Sequence, residues 1–229
     1  MPLLRTINPW PEATVYLWDI NESEDELMAM SQVNHQSKIR LDSMKSEVHR
    51  KGFLSVRALL QRADLTDDEV YYNHSGKPFL RTGQHISITH SHSRSAIIVA
   101  PYPVGIDIEL RRSKILRIGH KFSSGISLAL KQLVPEPVDQ YTYVWTAKES
   151  IYKIAAHPGL GFLNNILLGQ WSIVKGTPVD ASTQKHNETW IHATGTINYP
   201  KERHFAYQGC ILDQYVCGMT RDLDPTDIL

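Results

Sequence analysis

Three short runs of residues in this sequence could do chemistry. In Gly105-Ile106-Asp107-Ile108-Glu109, a strand period of two puts both carboxylates on one face, with Cβ atoms about 6–7 Å apart. Acids that close repel unless a divalent cation or a shared proton holds them. A hard cation such as Mg²⁺ uses one or two carboxylates together with substrate phosphate oxygens and water. Gly105, on the same face and without a side chain, would leave room for a ligand. The plain alternative is an antiparallel strand with one wet face, where Asp107 and Glu109 are simply solvated. In Trp145-Thr146-Ala147-Lys148-Glu149-Ser150-Ile151-Tyr152-Lys153, Glu149 and Lys153 stand four apart and share a helix face. The acid could serve a metal and the amine a phosphate. The same residues also fit structural roles: Thr146-x-x-Glu149 is a capping-box pattern, and Glu149 to Lys153 is the favourable order for a surface ion pair. In Ser87-Ile88-Thr89-His90-Ser91-His92-Ser93, a strand ends in a hydroxyl-rich turn with a histidine at its edge, a set of donors suited to phosphate oxygens. His90-x-His92 could also offer two imidazoles to zinc, although the sequence shows no obvious third ligand and no thiolate nearby.

These groups need elements to hold them. Leu41, Met44, Val48, Gly52, Val56, Leu59 and Ala63 recur at steps of three and four, which predicts a helix over 41–63. Gly52 on that stripe predicts close approach of a neighbouring element. Another face carries Lys45, His49, Arg50 and Arg57, either solvated or turned to a polyanion. Asn73-His74-Ser75-Gly76-Lys77-Pro78 predicts a turn. Strands are predicted over 85–89, 95–100 and 104–110, with Val104, Ile106, Ile108 and Leu110 on the apolar face of the third. Residues 111–140 read as irregular, interrupted by Pro135 and Pro137, and a helix over 146–156 stops before Pro158. Strands follow over 171–174, 190–197, 205–212 and 215–220, the last two as a hairpin through Asp213-Gln214. The acidic end, 221–229, reads as solvated. Helices and strands mix without βαβ alternation, so the fold class is α+β.

Composition narrows the functions. The chain of 229 residues is 41% hydrophobic and 21% charged, with 24 basic and 24 acidic residues. No global field favours nucleic acid or an anionic membrane, though a local basic patch could hold a small polyanion. The longest apolar stretches, such as 96–101, are too short to span a bilayer. Residues 1–11 contain Pro9, Pro11 and Arg5 without an apolar run, unlike a signal peptide. Cys210 and Cys217 form neither a disulfide framework nor a zinc knuckle, and read as half-buried thiols in late strands. The expected location is the cytoplasm.

In order along the chain stand Gly-Lys-Pro at 76–78, Ser-Ile-Thr-His-Ser at 87–91, Val-Gly-Ile-Asp-Ile-Glu at 104–109, and the run from Trp145 to Lys153. The basic helix ending Val56-Arg57-Ala58-Leu59-Leu60 precedes them. Together they resemble the 4′-phosphopantetheinyl transferases of the surfactin-synthetase type, in the holo-acyl-carrier-protein synthase superfamily. The resemblance covers roughly 45–162.

The resemblance implies transfer of the phosphopantetheine arm of coenzyme A to a serine of an apo acyl- or peptidyl-carrier protein, releasing adenosine 3′,5′-bisphosphate. It implies a monomeric pseudo-dimer of two similar α+β halves. Residues 1–103 would bind coenzyme A, 104–229 would carry the metal and catalytic residues, and the cleft between them would hold the co-substrate. Asp107, Glu109 and Glu149 match the family's ligands for Mg²⁺, or Mn²⁺. Asp107, Glu149 and Lys153 would be catalytic, with Glu149 as base for the serine proton and Lys153 neutralising the pyrophosphate. Arg57, Thr89 and His90 match positions that hold the 3′-phosphate or its neighbours. Lys77 and Pro78 match the adenine-side loop, and Arg50 and Lys51 on the basic helix match more loosely. The chain departs from the family after Phe122: it reads Ser123-Ser124-Gly125-Ile126-Ser127-Leu128, with no glutamate. The alternatives are a Mg²⁺-dependent nucleotide or pyrophosphate hydrolase, and a non-catalytic protein that binds coenzyme A.

Overall fold

The computed structural model describes residues 3–173, 179–180 and 189–224. They form two compact units, one reaching to Pro101 and including the strand at 179–180, the other beginning at Tyr102. The first unit runs β1 (Leu3–Trp10), β2 (Ala13–Asp19), α1 (Glu24–Met30), α2 (His35–Asp42) and α3 (Glu47–Arg62). It continues with β3 (Val70–Tyr72), β4 (Pro78–Leu80), β5 (His85–Ser91) and β6 (Arg94–Ala100). A later strand, β9 (Val179–Asp180), completes a five-stranded antiparallel sheet in the order β5-β6-β2-β1-β9. Helix α3 packs on this sheet, and Trp18, Leu54, Leu59 and Ile97 meet in the core.

The helix predicted over 41–63 is two helices. Helix α2 ends at Asp42, and Ser46 starts α3 by accepting a hydrogen bond from the His49 amide. Leu41 and Met44 pack on the same core from the earlier segment, so the apolar spacing runs on through a break it cannot register. Val48, assigned to the buried stripe, is 51% exposed. Gly52 behaves as expected, since a Cβ there would lie 3.1 Å from the His90 ring on β5. The β1–β2 hairpin has no counterpart in the sequence reading. Pro9 sits where the β1–β2 register slips between Ile7 and Trp10, a site where a strand tolerates proline.

The second unit runs β7 (Val104–Leu110), α4 (Lys114–Ile118), α5 (Leu128–Leu133), α6 (Pro137–Ala155) and α7 (Phe162–Asn165). Then come β8 (Ile166–Ile173), β10 (Trp190–Ile197), β11 (Arg203–Leu212) and β12 (Tyr215–Leu223). The sheet order is β7-β12-β11-β10-β8, antiparallel throughout. The molecule is thus mixed α and β with antiparallel sheets, the coarse class that the pattern predicts. Residues 111–140 are not irregular, because they contain α4, α5 and the start of α6. Pro137 opens α6 instead of interrupting it, since a first-turn residue needs no amide donor and proline's φ is already helical. Residues 174 and 225–229, given to a strand and to the solvated end, lie outside the described residues. Cys210 and Cys217 face one another in register on β11 and β12 and are fully buried, not half-buried. No helix among the described residues is long and apolar enough to cross a membrane.

Strand β7 has the predicted bounds, but its acidic face is not wet. Helix α6 lies along β7 and β12, and Asp107 is only 5% exposed. Gly105 does not make room for a ligand: a Cβ there would run into the Ser150 carbonyl oxygen of α6 and approach Ile154. The missing side chain is what lets the helix seat on the strand. Replacing Gly105 with alanine is therefore expected to destabilise the protein by about 3 kcal/mol. Urea unfolding that gave the parent's midpoint would show that the helix is not seated there.

Candidate functional site

Helix α6 is held in rotation as well as position. The Thr146 hydroxyl lies 3.1 Å from the Tyr143 carbonyl oxygen, to which it can donate, and 3.0 Å from the Tyr207 hydroxyl on β11. One turn on, Ser150 Oγ donates to Ala147 O and lies 2.6 Å from Thr220 Oγ1 on β12. Thr146 and Ser150 therefore face the sheet. Thr146 stands in the middle of α6, so the capping-box reading of Thr146 and Glu149 is wrong. A single step round the helix from this seam carries Trp145, Glu149 and Lys153 to the border of β7.

There the side chains meet the β7 acids. Lys153 Nζ donates to Asp107 Oδ1 and to the Ile106 carbonyl, both at 2.8 Å. Trp145 Nε1 donates to Glu109 Oε1 at 3.3 Å. Burial, and then the charge of Asp107, push the Glu149 carboxyl up to about 7, with Glu109 adding to the rise and Lys153 pulling against it. Lys153 thus salt-bridges a β7 acid as well as acting on Glu149, which a simple Glu149–Lys153 surface pair does not describe. Asp107, Glu109, Glu149 and Lys153 are brought into one electrostatic neighbourhood.

Next to Glu149 opens an almost wholly apolar cavity of about 510 Å³, walled by Phe122, Trp145, Tyr152 and Phe162 with Ile118 and Lys121. The rings brace one another, Phe122 on Trp145 at 4.9 Å and Tyr152 on Phe162 at 5.3 Å between centroids. Lys148, unmarked by the sequence reading, is buried and donates to the Phe162 carbonyl at 2.7 Å, and burial pulls its pKa down to about 8. It ties α6 to the segment bearing Phe162. After Phe122 no carboxylate follows. Instead Ser123 Oγ donates to Gly125 O, and Ser127 caps α5.

In the first unit a cavity of about 330 Å³ gathers His90, Arg57 and Pro78 of the predicted residues, together with His49. The His49 and His90 rings lie 6.1 Å apart. Arg57 is only 3% exposed and committed elsewhere: it pairs with Asp67 at 3.1 Å, bonds Ser37 Oγ at 3.0 Å and covers the Phe53 ring. Arg50 is tied to Glu24 at 2.8 Å. Lys77 is not among the lining residues, and its ammonium sits 5.7 Å over the Phe79 ring. Lys51 keeps a place on α3 with no assigned contact to this cavity. Ser87 and Thr89 lie in β5, as the strand over 85–89 predicts, and His90 and Ser91 continue that strand instead of forming the turn, so alternation puts exposed His90 and buried Thr89 on opposite faces. Arg40 was missed. Exposed on α2, its guanidinium sits 5.1 Å from the Tyr72 ring and 5.6 Å from the Phe53 ring and lines the same cavity. The only sequence signal was a cation between two apolar residues, Ile39 and Leu41. Among the described residues no three His, Cys, Asp or Glu side chains are drawn tightly enough to enclose an ion, and His92 occupies the β5–β6 turn.

No family model matches the chain. Over 141 residues it is 28% identical to a 4′-phosphopantetheinyl transferase of Bacillus subtilis, a stretch that covers 58% of this chain and 63% of that protein. The chain thus spans just under two thirds of the length of this curated relative.

Two outcomes are expected. Glu149 holds its proton in the folded state up to about pH 7 but in the unfolded chain only to about 4.5. The contribution of Glu149 to metal-free stability should therefore be fully present below pH 4.5 and be lost, by roughly 2–3 kcal/mol, as pH rises through 7. Urea unfolding in chelator should show that decline in the parent and not in Glu149→Gln. Arg57→Ala leaves Asp67 buried without its cation, and a loss of about 3–5 kcal/mol is expected in the same measurement. A loss below about 1 kcal/mol would place Arg57 outside the structural framework.

Proposed function

We propose that this chain transfers the 4′-phosphopantetheine arm of coenzyme A to a serine hydroxyl of an apo acyl- or peptidyl-carrier protein. The observation that carries the reading is Glu149 of α6 facing Asp107 and Glu109 of β7, with Lys153 bridging to Asp107. The order of the sequence blocks and the likeness to the Bacillus subtilis transferase support it.

The acids suit a hard divalent cation, Mg²⁺ or Mn²⁺. All donors are carboxylate oxygens, and burial together with their mutual repulsion already raises Glu149. Among the described residues no three such side chains are close enough to enclose an ion, so a bound ion would need phosphate oxygens and water to complete its ligands. Asp107, Glu109 and Glu149 would hold the ion, and when bound it would supply Lewis-acid neutralisation of the diphosphate. The serine oxygen attacks the phosphorus that bears pantetheine, and the bond to the bisphosphate oxygen breaks. Glu149 accepts the serine proton. Lys153 moves its charge from Asp107 to the phosphate that leaves. Trp145 holds Glu109, and the aromatic wall beside Glu149 keeps water from competing with serine. In the first unit, His90 with His49 and Arg40 would take phosphate oxygens of the coenzyme, and Pro78 with Lys77 the adenine side. Arg57 would support that pocket from behind. The reading carries with it the finer family type, a monomeric pseudo-dimer and a cytoplasmic setting.

Incubation with coenzyme A, Mg²⁺ and a panel of apo-carriers should give a phosphopantetheinyl mass gain and stoichiometric bisphosphate. Asp107→Ala and Glu149→Ala should each slow it by at least about 10²-fold. Carrier modification at the parent's rate in either variant would sink the assignment. Bisphosphate released without carrier would favour the hydrolase instead.

A further inference from the structure

Phe162, one wall of the cavity beside Glu149, is delivered by a weak support. It follows Pro158, Gly159 and Gly161, and Gly159 at positive φ makes that connection pliant. Helix α7, which Phe162 opens, has four residues and is too short to hold itself in place. Three residues of α6 grip Phe162 instead. Its ring lies against Trp145 at 5.5 Å and Tyr152 at 5.3 Å between centroids, and its carbonyl accepts a hydrogen bond from the Lys148 ammonium at 2.7 Å. Lys148 is 5% exposed and does not line the cavity. The charges that act on Glu149 are those of Asp107, Lys153 and Glu109. Lys148 therefore touches neither the acids nor the space beside them. A buried ammonium held by one neutral oxygen costs the fold stability, and a methionine of nearly the same length would fill the site without that cost. What the ammonium does, and methionine cannot, is fix where the Phe162 backbone sits.

We propose that Lys148 is a positioning residue that acts through Phe162: by holding the Phe162 carbonyl it keeps the ring closed on Trp145 and Tyr152, and so keeps water out of the cavity beside Glu149. This rests on the transferase reading. With the ring loosened, water takes the place of the carrier's serine. A water oxygen bonds the phosphorus that bears pantetheine, the bond to the bisphosphate oxygen breaks, and one water proton passes to Glu149. Phosphopantetheine and adenosine 3′,5′-bisphosphate leave.

The test gives the full chain coenzyme A and Mg²⁺, with and without apo-carrier, and measures bisphosphate and modified carrier together. The parent should release bisphosphate one for one with modified carrier, and none without carrier. Lys148→Met should slow transfer by about tenfold or more and release bisphosphate when no carrier is present. Lys148→Arg keeps a donor and should recover the coupling. Added to Phe162→Leu, Lys148→Met should cause little further leakage, because both act at one ring. Acrylamide quenching reads the same wall without turnover. Trp10, Trp18, Trp171 and Trp190 are at most 9% exposed, so a rise in Lys148→Met reports half-buried Trp145. Parent-like quenching in folded Lys148→Met, or bisphosphate that stays one for one with modified carrier, overturns the proposal. So does failure of both Lys148→Met and the milder Lys148→Gln to fold, which would make the bond a support of the fold alone. A parent that modifies no carrier sinks the transferase reading instead, and quenching then still decides whether Lys148 holds the wall.

Discussion

The second unit depends on one close approach, that of α6 to β7 at Gly105. A helix carrying Thr146, Ser150 and Ile154 on one side can lie on a sheet only where the strand offers no side chain at the contact, and the Ser150 carbonyl fills that gap. The hydroxyl bonds of Thr146 to Tyr207 and of Ser150 to Thr220 then set the rotation of the helix. Those constraints determine where every chemical group of α6 points. Shifted by a residue, Glu149 would enter the sheet or face solvent, and the acids of β7 would lack their counterpart.

The seat creates an electrostatic problem and partly solves it. Three carboxylates crowd a half-dry corner, so one of them holds its proton towards neutrality. Lys153 relieves Asp107, and Trp145 gives Glu109 a donor without charge. What remains is a deficit of positive charge beside an aromatic-walled cavity. A stable fold tolerates such a deficit most readily where a ligand or cation will supply the missing charge.

In the first unit the basic side chains of α2, α3 and β5 divide their labour. Arg57 is buried against Asp67 and Phe53 and shapes the wall, whereas His90, His49 and Arg40 present groups to the cavity. Sequence distance from the apolar stripe could not separate these roles. A buried arginine and an exposed one look alike until the partner, here Asp67 ten residues away, is brought in by the fold.

Local pattern alone determined a good part of this protein. Period-two alternation delimited β7 and β10, the Asp213-Gln214 turn marked the β11–β12 hairpin, and i, i+4 spacing put Glu149 and Lys153 on one helix face, because these signals involve only neighbours in the chain. Helix breaks and starts were less legible: apolar spacing ran through Ser43–Ser46, and Pro137 resembled an interruption although it begins a helix. Tertiary structure alone decided that Gly105 admits a helix rather than a ligand, that Asp107 is buried, that Thr89 and His90 part company across β5, and that Arg40 joins the cavity. Each of those outcomes depends on which surface another segment covers, and a residue's own neighbours in sequence carry no record of that.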